Sequence, residues 1–339
     1  MKKRARILYL ILIGISTTIV SISLVHQMFI QPPVVNPSSS TESQSENTSP
    51  DSDTSDSPLI EPAETLTRRD GCYTFLLVGA DNSNVLADVI MVMMYDTKTQ
   101  SVGLVSIPRD TLVDPTGPSH FPKINSALQH GIDSLKDVVS EMTGIPIDFY
   151  IFSNLNAFVD IVDSIGGIEF DIPVHMSYDD PEQNLHIHYE PGIKHLSGSE
   201  ALEICRLRQN DDGTIAYLDY DIGRTHTQRA LLITIAQKVL SHPEKIGNLI
   251  EIWHQNIDTD LSPTEILWFA EQMTSGNFNM NSIESAVLPG NGQVTFHGIK
   301  YCYELYPQDT LKIINDTINP YYQPLTLNDT YFFQSSQGG

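Results

Sequence analysis

Residues 73–107 read YTFLLVGADNSNVLADVIMVMMYDTKTQSVGLVSI, and this stretch decides the class of fold. It holds three short apolar runs, at 73–78, 89–95 and 102–107, each bounded by turn residues. Such runs are typical of central strands that are covered on both faces of a sheet. The polar residues 96–100 between the last two runs predict a hairpin connection, so the sheet is expected to be mixed.

Helical and strand-like segments alternate along the rest of the chain. Helical spacing is found at 125–142, 155–165, 197–204, 224–240 and 263–273. Further strands are predicted at 148–152, 168–172 and near 285–288. This alternation predicts an α/β fold in three layers, with a mixed central β-sheet sandwiched by helices.

The N-terminus predicts a membrane anchor. Four of the first six residues are Lys or Arg, and an apolar run follows at 7–25. The run is close to the ~20 residues that cross a hydrocarbon core, and the basic flank keeps the N-terminus cytoplasmic. We therefore predict a cytoplasmic tail at 1–6 and a single transmembrane helix at 7–30, a signal-anchor of the cell membrane. A cleaved signal peptide is the alternative, but the run ends in HQMF at 26–29 rather than in small residues.

The exported part divides into a stalk and a domain. Residues 31–66 are rich in Ser, Pro and Asp and have no hydrophobic periodicity, so they are predicted to form a disordered stalk. Residues 67–333 are predicted to form one extracytoplasmic catalytic domain, and residues 334–339 a disordered tail.

Charge and cysteine content exclude two classes of protein. The chain has 19 Lys and Arg against 42 Asp and Glu, a net charge of −23, which opposes nucleic-acid binding. Against this field, clustered arginines indicate a local anion site. Cys72, Cys205 and Cys302 are widely spaced, so we expect buried free thiols rather than a disulfide framework or a metal site.

Charged candidates follow the predicted strands. Arg109 lies directly after the strand 102–107, where Pro108 ends that strand, and the carboxyl ends of strands are where α/β sheets bind ligands. Asp81 follows the first strand and Asp88 opens the second, so both carboxylates are expected at this same edge of the sheet.

Two pairs of residues further along the chain extend the predicted site. Arg206 and Arg208, if extended, direct both guanidinium groups to one face. Arg224 and Gln228, spaced i and i+4, share one face near the start of the helix at 224–240. Guanidinium groups, a helix N-terminus and two carboxylates together predict a site for a Mg²⁺-bound pyrophosphate.

Each candidate also has a simpler interpretation. Asp221 fits a helix N-cap as well as a metal contact, and isolated arginines are more often surface ion-pair partners. His186 and His188 share one strand face and suit a metal, but alternating histidines on an edge strand are usually only solvated. Ser106 and Ser197 have no His and acid arranged nearby, so a nucleophile is not expected there.

Six ordered motifs give the chain a strong resemblance to the LytR-CpsA-Psr family. They are SIPRDT (106–111), KIN (123–125), VDSIGGIEFDIP (162–173), LSGSEAL (196–202), RLR (206–208) and DIGRTHTQR (221–229). The resemblance covers about 73–240 and is weaker to 333. It implies the three-layer fold of that family and an extracytoplasmic Mg²⁺-dependent phosphotransferase, which moves a glycopolymer such as wall teichoic acid or capsule from a polyprenyl pyrophosphate carrier onto peptidoglycan.

The resemblance also implies roles for individual residues. Asp81 and Asp88 match the metal-binding acids, and Asp221 matches an acid of the same site. The residues that match the pyrophosphate-binding set are Arg109, Lys123, Arg206, Arg208, Arg224 and Gln228. We expect Arg109, Asp88 and Asp221 to be catalytic, with Asp88 or Asp221 as the base. An apolar tunnel for the lipid is expected from Phe149, Phe152, Leu155, Phe158, Val159 and Val162, for which core packing is the alternative.

The chain departs from the family pattern at several positions. Family arginines are absent near Ser83, Asn84 and Leu86, and Thr227 stands where the helix motif usually has Arg. Arg229 is a candidate substitute for the missing charge. Two further functions therefore stay open: a hydrolase of polyprenyl pyrophosphate, and a non-catalytic polyprenyl-phosphate-binding protein of cell-envelope assembly.

Overall fold

The fold is built on a six-stranded mixed sheet. A computed structural model describes residues 31–35, 65–80, 86–117, 120–182, 185–217, 221–242, 249, 257–275, 278–279 and 283–337. Its strands are β1 (Cys72–Ala80), β2 (Ala87–Asp96), β3 (Ser101–Ser106), β4 (Phe149–Asn154), β5 (Ile168–Ile172), β6 (Met176–Asp180), β7 (Leu185–Tyr189), β8 (Gly192–Leu196), β9 (Ile257–Thr259), β10 (Ile283–Val287), β11 (Gly290–Phe296) and β12 (Ile299–Leu305). Its α-helices are α1 (Ile132–Thr143), α2 (Leu155–Ser164), α3 (Gly198–Arg206), α4 (Asp221–Leu240), α5 (Pro263–Ser275) and α6 (Pro307–Thr317).

The central sheet has the strand order β10-β3-β2-β1-β4-β9. Strands β1, β2 and β3 are antiparallel neighbours, whereas β4 runs parallel to β1 and β10 runs parallel to β3. The predicted hairpin and the mixed sheet are therefore confirmed. Because β1, β3 and β4 run in the same direction and β2 runs against them, the ends of β1, β3 and β4 and the start of β2 share one edge.

Side-chain alternation along β1 places apolar groups on both faces of the sheet. Leu76 and Val78 pack in a core with α1, α6 and a 3₁₀ helix at Ile124–His130. Phe75 lies on the other face in an aromatic cluster with Phe269 of α5. Burial on both faces accounts for the continuously apolar sequence of these strands.

A second core lies beside the sheet. Strands β5 and β8 pair outside the central sheet, and their buried residues pack with α2, α3 and α4. The predicted strand at 168–172 thus exists, but it belongs to this second core. Two further hairpins, β6–β7 and β11–β12, were not predicted.

Other differences from the sequence predictions have local causes. The predicted helix at 125–142 is two elements, because Gly131, with φ 100°, separates the 3₁₀ helix from α1. Residues 31–35, predicted as part of the stalk, lie against the domain, where the Pro33 carbonyl accepts a hydrogen bond from the Tyr73 hydroxyl. The predicted transmembrane helix at 7–30 lies outside the described residues. None of the helices within them is long and apolar enough to cross a membrane.

A buried ion pair fixes the edge of the sheet opposite to the shared strand ends. The Arg68 guanidinium pairs with the Asp148 carboxylate, whose side chain is 6% exposed and also accepts from the Thr74 backbone N–H at 2.8 Å. Removal of one member of such a pair leaves the other charged and desolvated.

We therefore expect Asp148→Ala to lower the free energy of unfolding by about 3 kcal/mol, because Arg68 would remain as a buried charge. Asp316→Ala is the matched control, since Asp316 pairs with Lys312 on the exposed surface of α6 and should change stability by under about 0.5 kcal/mol. Urea unfolding of both variants measures the difference. Equal losses in the two variants would contradict the structural role of the buried pair.

Candidate functional site

A cavity of about 740 Å³ lies between the sheet and helices α2, α3 and α4. One part of its wall is apolar, with Leu77 and Ile151 from the sheet facing Phe158, Leu232 and Ile235 from the helices. The other part is polar and lies at the shared edge of strand ends. The cavity therefore combines a hydrophobic compartment with a charged end.

The charged end collects most of the residues predicted from sequence. Six of the nine predicted site residues line the cavity: Asp88, Arg109, Arg206, Arg208, Arg224 and Gln228. Asp88 is the only carboxylate among the described lining residues, against four guanidinium groups. In a chain with a net charge of −23, this is a concentrated positive site, suited to a multiply charged anion.

Arg109 is held from two sides by acids. Its guanidinium forms an ion pair with Asp88, which also lines the cavity, and its Nε lies 3.7 Å from the Asp110 carboxylate. That Nε is buried and makes no hydrogen bond to any other described residue, so Asp110 contacts it as an ion-pair partner only.

Lys123 occupies a different place from the other predicted residues. Its Nζ lies 2.9 Å from the Asp110 carboxylate, and it is not among the described residues that line the cavity. Asp110 thus connects Lys123 to Arg109. Asp110 was not predicted, although it follows Arg109 directly in the sequence. Lys123 therefore contacts the neighbour of Arg109 and not the described lining of the cavity.

The pair of arginines at 206 and 208 adopts the predicted arrangement. Helix α3 begins with a capping box between Ser197 and Glu200 and ends at Arg206. Leu207 follows with extended backbone angles, φ −59° and ψ 130°, and its side chain is fully buried. Since alternate residues of an extended segment point to opposite sides, burial of Leu207 turns Arg206 and Arg208 to the cavity.

Helix α4 supplies Arg224 and Gln228 from its first turns. Arg224 is only 4% exposed, and the Gln228 Nε2 donates to the Cys205 carbonyl at 3.2 Å. Gly223 lets the Tyr217 ring approach closely, since an added Cβ would lie 2.5 Å from that ring. Close packing of this turn fixes the direction of Arg224.

Thr227 and Arg229 show how this chain differs at the helix motif. The buried Thr227 hydroxyl lies 3.0 Å from the Tyr217 hydroxyl, so position 227 is used in packing. The Arg229 Nη2 lies 2.8 Å from His226 Nδ1, and burial lowers the pKa of Arg229. Arg229 is absent from the described cavity lining, which gives no support to its substitution for the missing charge.

The remaining predictions are placed as follows. Asp81 and the side chain of Asp221 lie outside what the structure describes, although α4 begins at Asp221. Leu155 and Phe158 line the cavity as predicted for the tunnel. The others of that set line no described part of it, with Phe149 and Val162 in the cores and Phe152 packed against one.

Three further candidates have structural contacts of their own. Ser197 caps α3. His186 and His188 share one face of β7, as predicted, and both contact Asp179 of β6. No group of three or more acids, histidines and cysteines suited to a metal ion occurs within the described ranges. Tyr178 of β6 also lines the cavity, and no sequence motif predicted it.

Known proteins were found that are similar to this chain in sequence. The chain matches the LytR_cpsA_psr family model over residues 34–318. It is 31% identical over 236 residues to the polyisoprenyl-teichoic acid–peptidoglycan teichoic acid transferase TagU of Bacillus mycoides, covering 68% of this chain and 73% of that protein.

Solved structures share the fold. The crystal structure of B. subtilis TagU matches with a TM-score of 0.53 and 27% identity, over 73% of this chain and 95% of that one. An Enterococcus faecalis protein described as a transcriptional regulator matches with a TM-score of 0.61 and 26% identity, over 72% and 85% of the two chains.

The three thiols give a first prediction for this region: Cys72 and Cys302 are buried, and Cys205 is half-buried in the cavity wall. Burial raises the pKa of Cys205, in the cavity wall, from 9.0 to about 11 and that of Cys72 to about 12, and it also raises the pKa of Cys302. All three are free thiols. We expect slow reaction with a disulfide reagent at pH 8 in the folded chain and rapid reaction of all three in denaturant.

The same shifts fix the sign of a pH effect. A thiol whose pKa is raised on folding stabilises the folded state fully below its unfolded pKa, and this contribution is lost as pH rises towards the folded value. Stability should therefore fall between about pH 9 and pH 12, and Cys72→Ala should reduce that fall. A thiol that reacts rapidly at pH 8 without unfolding would contradict this description.

The positions of Arg109 and Lys123 give a second prediction. We expect Arg109→Ala to weaken binding of inorganic pyrophosphate by about 10- to 100-fold, the loss of a charged hydrogen bond. Lys123→Ala should weaken it by less than about fivefold, because Lys123 acts through Asp110. Calorimetric titration of both variants, with Lys312→Ala as an exposed control, measures the difference. Equal losses for Arg109 and Lys123 would show that Lys123 contacts the anion directly.

Proposed function

The chain belongs to the LytR-CpsA-Psr family, and we propose that it is a phosphotransferase that moves a glycopolymer from a polyprenyl pyrophosphate carrier onto peptidoglycan. The polymer is of the wall teichoic acid or capsule type. One observation carries the proposal: four arginines line a cavity that also has a large apolar part. A teichoic acid transferase name for the 31% identical relative supports the same activity.

The two parts of the cavity fit the two parts of such a donor. Guanidinium groups form paired hydrogen bonds with phosphate oxygens, so the charged end suits a pyrophosphate. The compartment lined by Leu77, Ile151, Phe158 and Leu232 suits a hydrocarbon chain, because each buried CH₂ group contributes about 0.8 kcal/mol. A donor held at both ends presents its phosphorus beside Arg109 and Asp88.

The reaction is a phosphoryl substitution. A hydroxyl oxygen of the acceptor attacks the phosphorus that carries the glycopolymer, and a new P–O bond forms. The P–O bond to the second phosphate breaks, and polyprenyl phosphate leaves with the bonding electrons. Positioning and charge stabilisation supply most of the catalysis in such reactions, and we assign these roles to Arg109, Arg206, Arg208 and Arg224.

A base takes the proton of the acceptor hydroxyl. Asp88 and Asp221 are the two acids that we propose for this role. Asp88 lines the cavity and pairs with Arg109, so a carboxylate oxygen lies beside the place proposed for the phosphorus.

Mg²⁺ is the proposed cofactor. Magnesium is commonly held by one or two carboxylates together with phosphate oxygens of the substrate, and Asp88 and Asp81 supply this type of ligand. The single described carboxylate at the charged end fits such a site. When bound, the ion would neutralise charge on the pyrophosphate, while the arginines orient it.

The proposed topology places this reaction outside the cell. The basic tail at 1–6 is cytoplasmic, the segment 7–30 crosses the membrane once, and the domain at 67–333 faces the wall. Because residues 31–35 follow that segment directly and lie against the domain, the domain would be held close to the membrane. The lipid donor and the anchor of the domain would then lie in the same membrane.

A transfer assay tests the proposal. The purified full-length chain is incubated with Mg²⁺, a lipid-pyrophosphate-linked saccharide and peptidoglycan fragments, and the covalent conjugate is measured. We expect Arg109→Ala and Arg206→Ala each to lower the rate by about 100-fold or more, because charge on the transferred group is no longer neutralised. Lys312→Ala is an exposed cationic control, and thermal unfolding verifies that all variants fold. A chelator should also abolish the product.

Other products would identify other functions. Release of free glycopolymer without a conjugate would indicate a polyprenyl-pyrophosphate hydrolase. Retention of polyprenyl phosphate without either product would indicate a binding protein. Absence of conjugate with several donors would reject the transferase.

A further inference from the structure

The β11–β12 hairpin differs in composition from the rest of this acidic chain. Residues 289–303, PGNGQVTFHGIKYCY, contain no Asp or Glu, although the chain has 42 such residues among 339. Glu304 is the acid of β12, and its half-buried carboxylate accepts hydrogen bonds from the Ser335 backbone N–H and hydroxyl. The exposed side chains of residues 289–303 include Asn291, Gln293, Thr295 and Tyr301. Amides, a hydroxyl and an aromatic ring without negative charge form a surface suited to an uncharged polar ligand.

One side of the hairpin is anchored in the domain. Phe296 and Cys302 are buried with Leu112 and Phe333, and the Phe296 and Phe333 rings pack edge to face at 5.5 Å. These buried residues hold the hairpin against the domain, so the positions of its exposed side chains are fixed relative to the domain.

Tyr301 has an unusual backbone conformation. It lies at φ 58°, in the left-handed region that bulky residues rarely adopt. The register shifts here, because two residues, 300 and 301, stand opposite one residue between the pairs Val294–Cys302 and Phe296–Ile299. The resulting bulge leaves Tyr301 65% exposed. Such bulges and strained residues recur beside functional sites, where they direct a side chain outward.

The hairpin is hydrogen-bonded to the segment that directly follows Arg109, which lines the charged end of the cavity. The Tyr303 backbone N–H donates to the Asp110 carbonyl at 2.8 Å, and the Leu112 N–H donates to the Tyr303 carbonyl at 2.7 Å. Asp110 is the acid that contacts both Arg109 and Lys123. A polymer that places one hydroxyl beside Arg109 therefore has the hairpin as the adjoining surface.

We propose that the β11–β12 hairpin binds the glycan chain of the acceptor, with the Tyr301 ring stacked on a sugar. This inference rests on the proposed transferase function, which requires a carbohydrate hydroxyl beside Arg109. Sugar rings present C–H groups to an aromatic face, and their hydroxyl and N-acetyl groups bond to amides such as Asn291 and Gln293. The absence of carboxylates from 289–303 removes repulsion towards the anionic wall polymers that surround such a glycan.

Binding of a defined probe tests this surface. The purified full-length chain is titrated calorimetrically with peptidoglycan glycan strands from which an amidase has removed the peptides. Tyr301→Asn removes the ring and keeps a residue that tolerates the left-handed region, so the hairpin should fold normally. We expect binding to weaken about fivefold or more, a loss equivalent to one aromatic contact. Tyr301→Trp should bind within about twofold of the parent.

Tyr322→Ala is the matched control. Tyr322 is 66% exposed, like Tyr301, and its backbone N–H bonds to Thr67 at the opposite edge of the sheet. We expect this variant to bind glycan as the parent does. In the transfer assay, Tyr301→Asn should raise the acceptor KM and leave kcat unchanged.

The outcomes separate this inference from the proposed function. The inference is overturned if the parent and Tyr301→Asn bind glycan equally, or if the parent does not bind glycan, even where transfer proceeds. The exposed face would then be a candidate surface for a protein partner. Loss of binding in Tyr301→Asn without transfer by the parent supports a glycan surface and rejects the transferase. A loss of the same size in Tyr322→Ala also overturns the inference.

Discussion

Mutual repulsion of guanidinium groups is the constraint on which this structure depends. Four arginines line one cavity, and Arg224 is almost fully buried there, although each charge would be better solvated in water. The Asp88 and Asp110 carboxylates contact Arg109 and offset part of this repulsion. Packing elsewhere must therefore hold the arginines in place. An anion that enters the cavity relieves this repulsion, so the cost of assembling the site favours ligand binding.

Two separate cores supply that packing. Arg109 is carried by the end of β3 in the central sheet, whereas Arg206, Arg208 and Arg224 belong to α3, α4 and the segment between them, which pack in the second core. The cavity lies where the two cores meet. The apolar compartment and the charged end both exist because the sheet and the helices are separated by a gap at this place. Direct packing of the helices on the sheet would remove both.

The charge distribution separates the interior of the site from the surface of the molecule. The chain has a net charge of −23, whereas four arginines line its cavity, so any anion binding there would depend on these few side chains. Fold alone does not assign this chemistry, since one architecture can serve different functions. The proposed chemistry would depend on the arginines, on Asp88 and on the shape of the compartment next to them.

The strands β1 to β3 and their antiparallel pairing could be predicted from residues 73–107, because buried strands and a short polar connection leave a direct pattern there. The sequence also identified six residues of the cavity through their motifs. Other features could be seen only in the folded chain. Lys123 contacts Asp110, β5 pairs with β8 outside the central sheet, and the Thr227 hydroxyl of α4 contacts the Tyr217 hydroxyl. These features depend on contacts between segments far apart in the chain. Local periodicity reports which face of a segment is buried, but it carries no information about the partner against which that face packs.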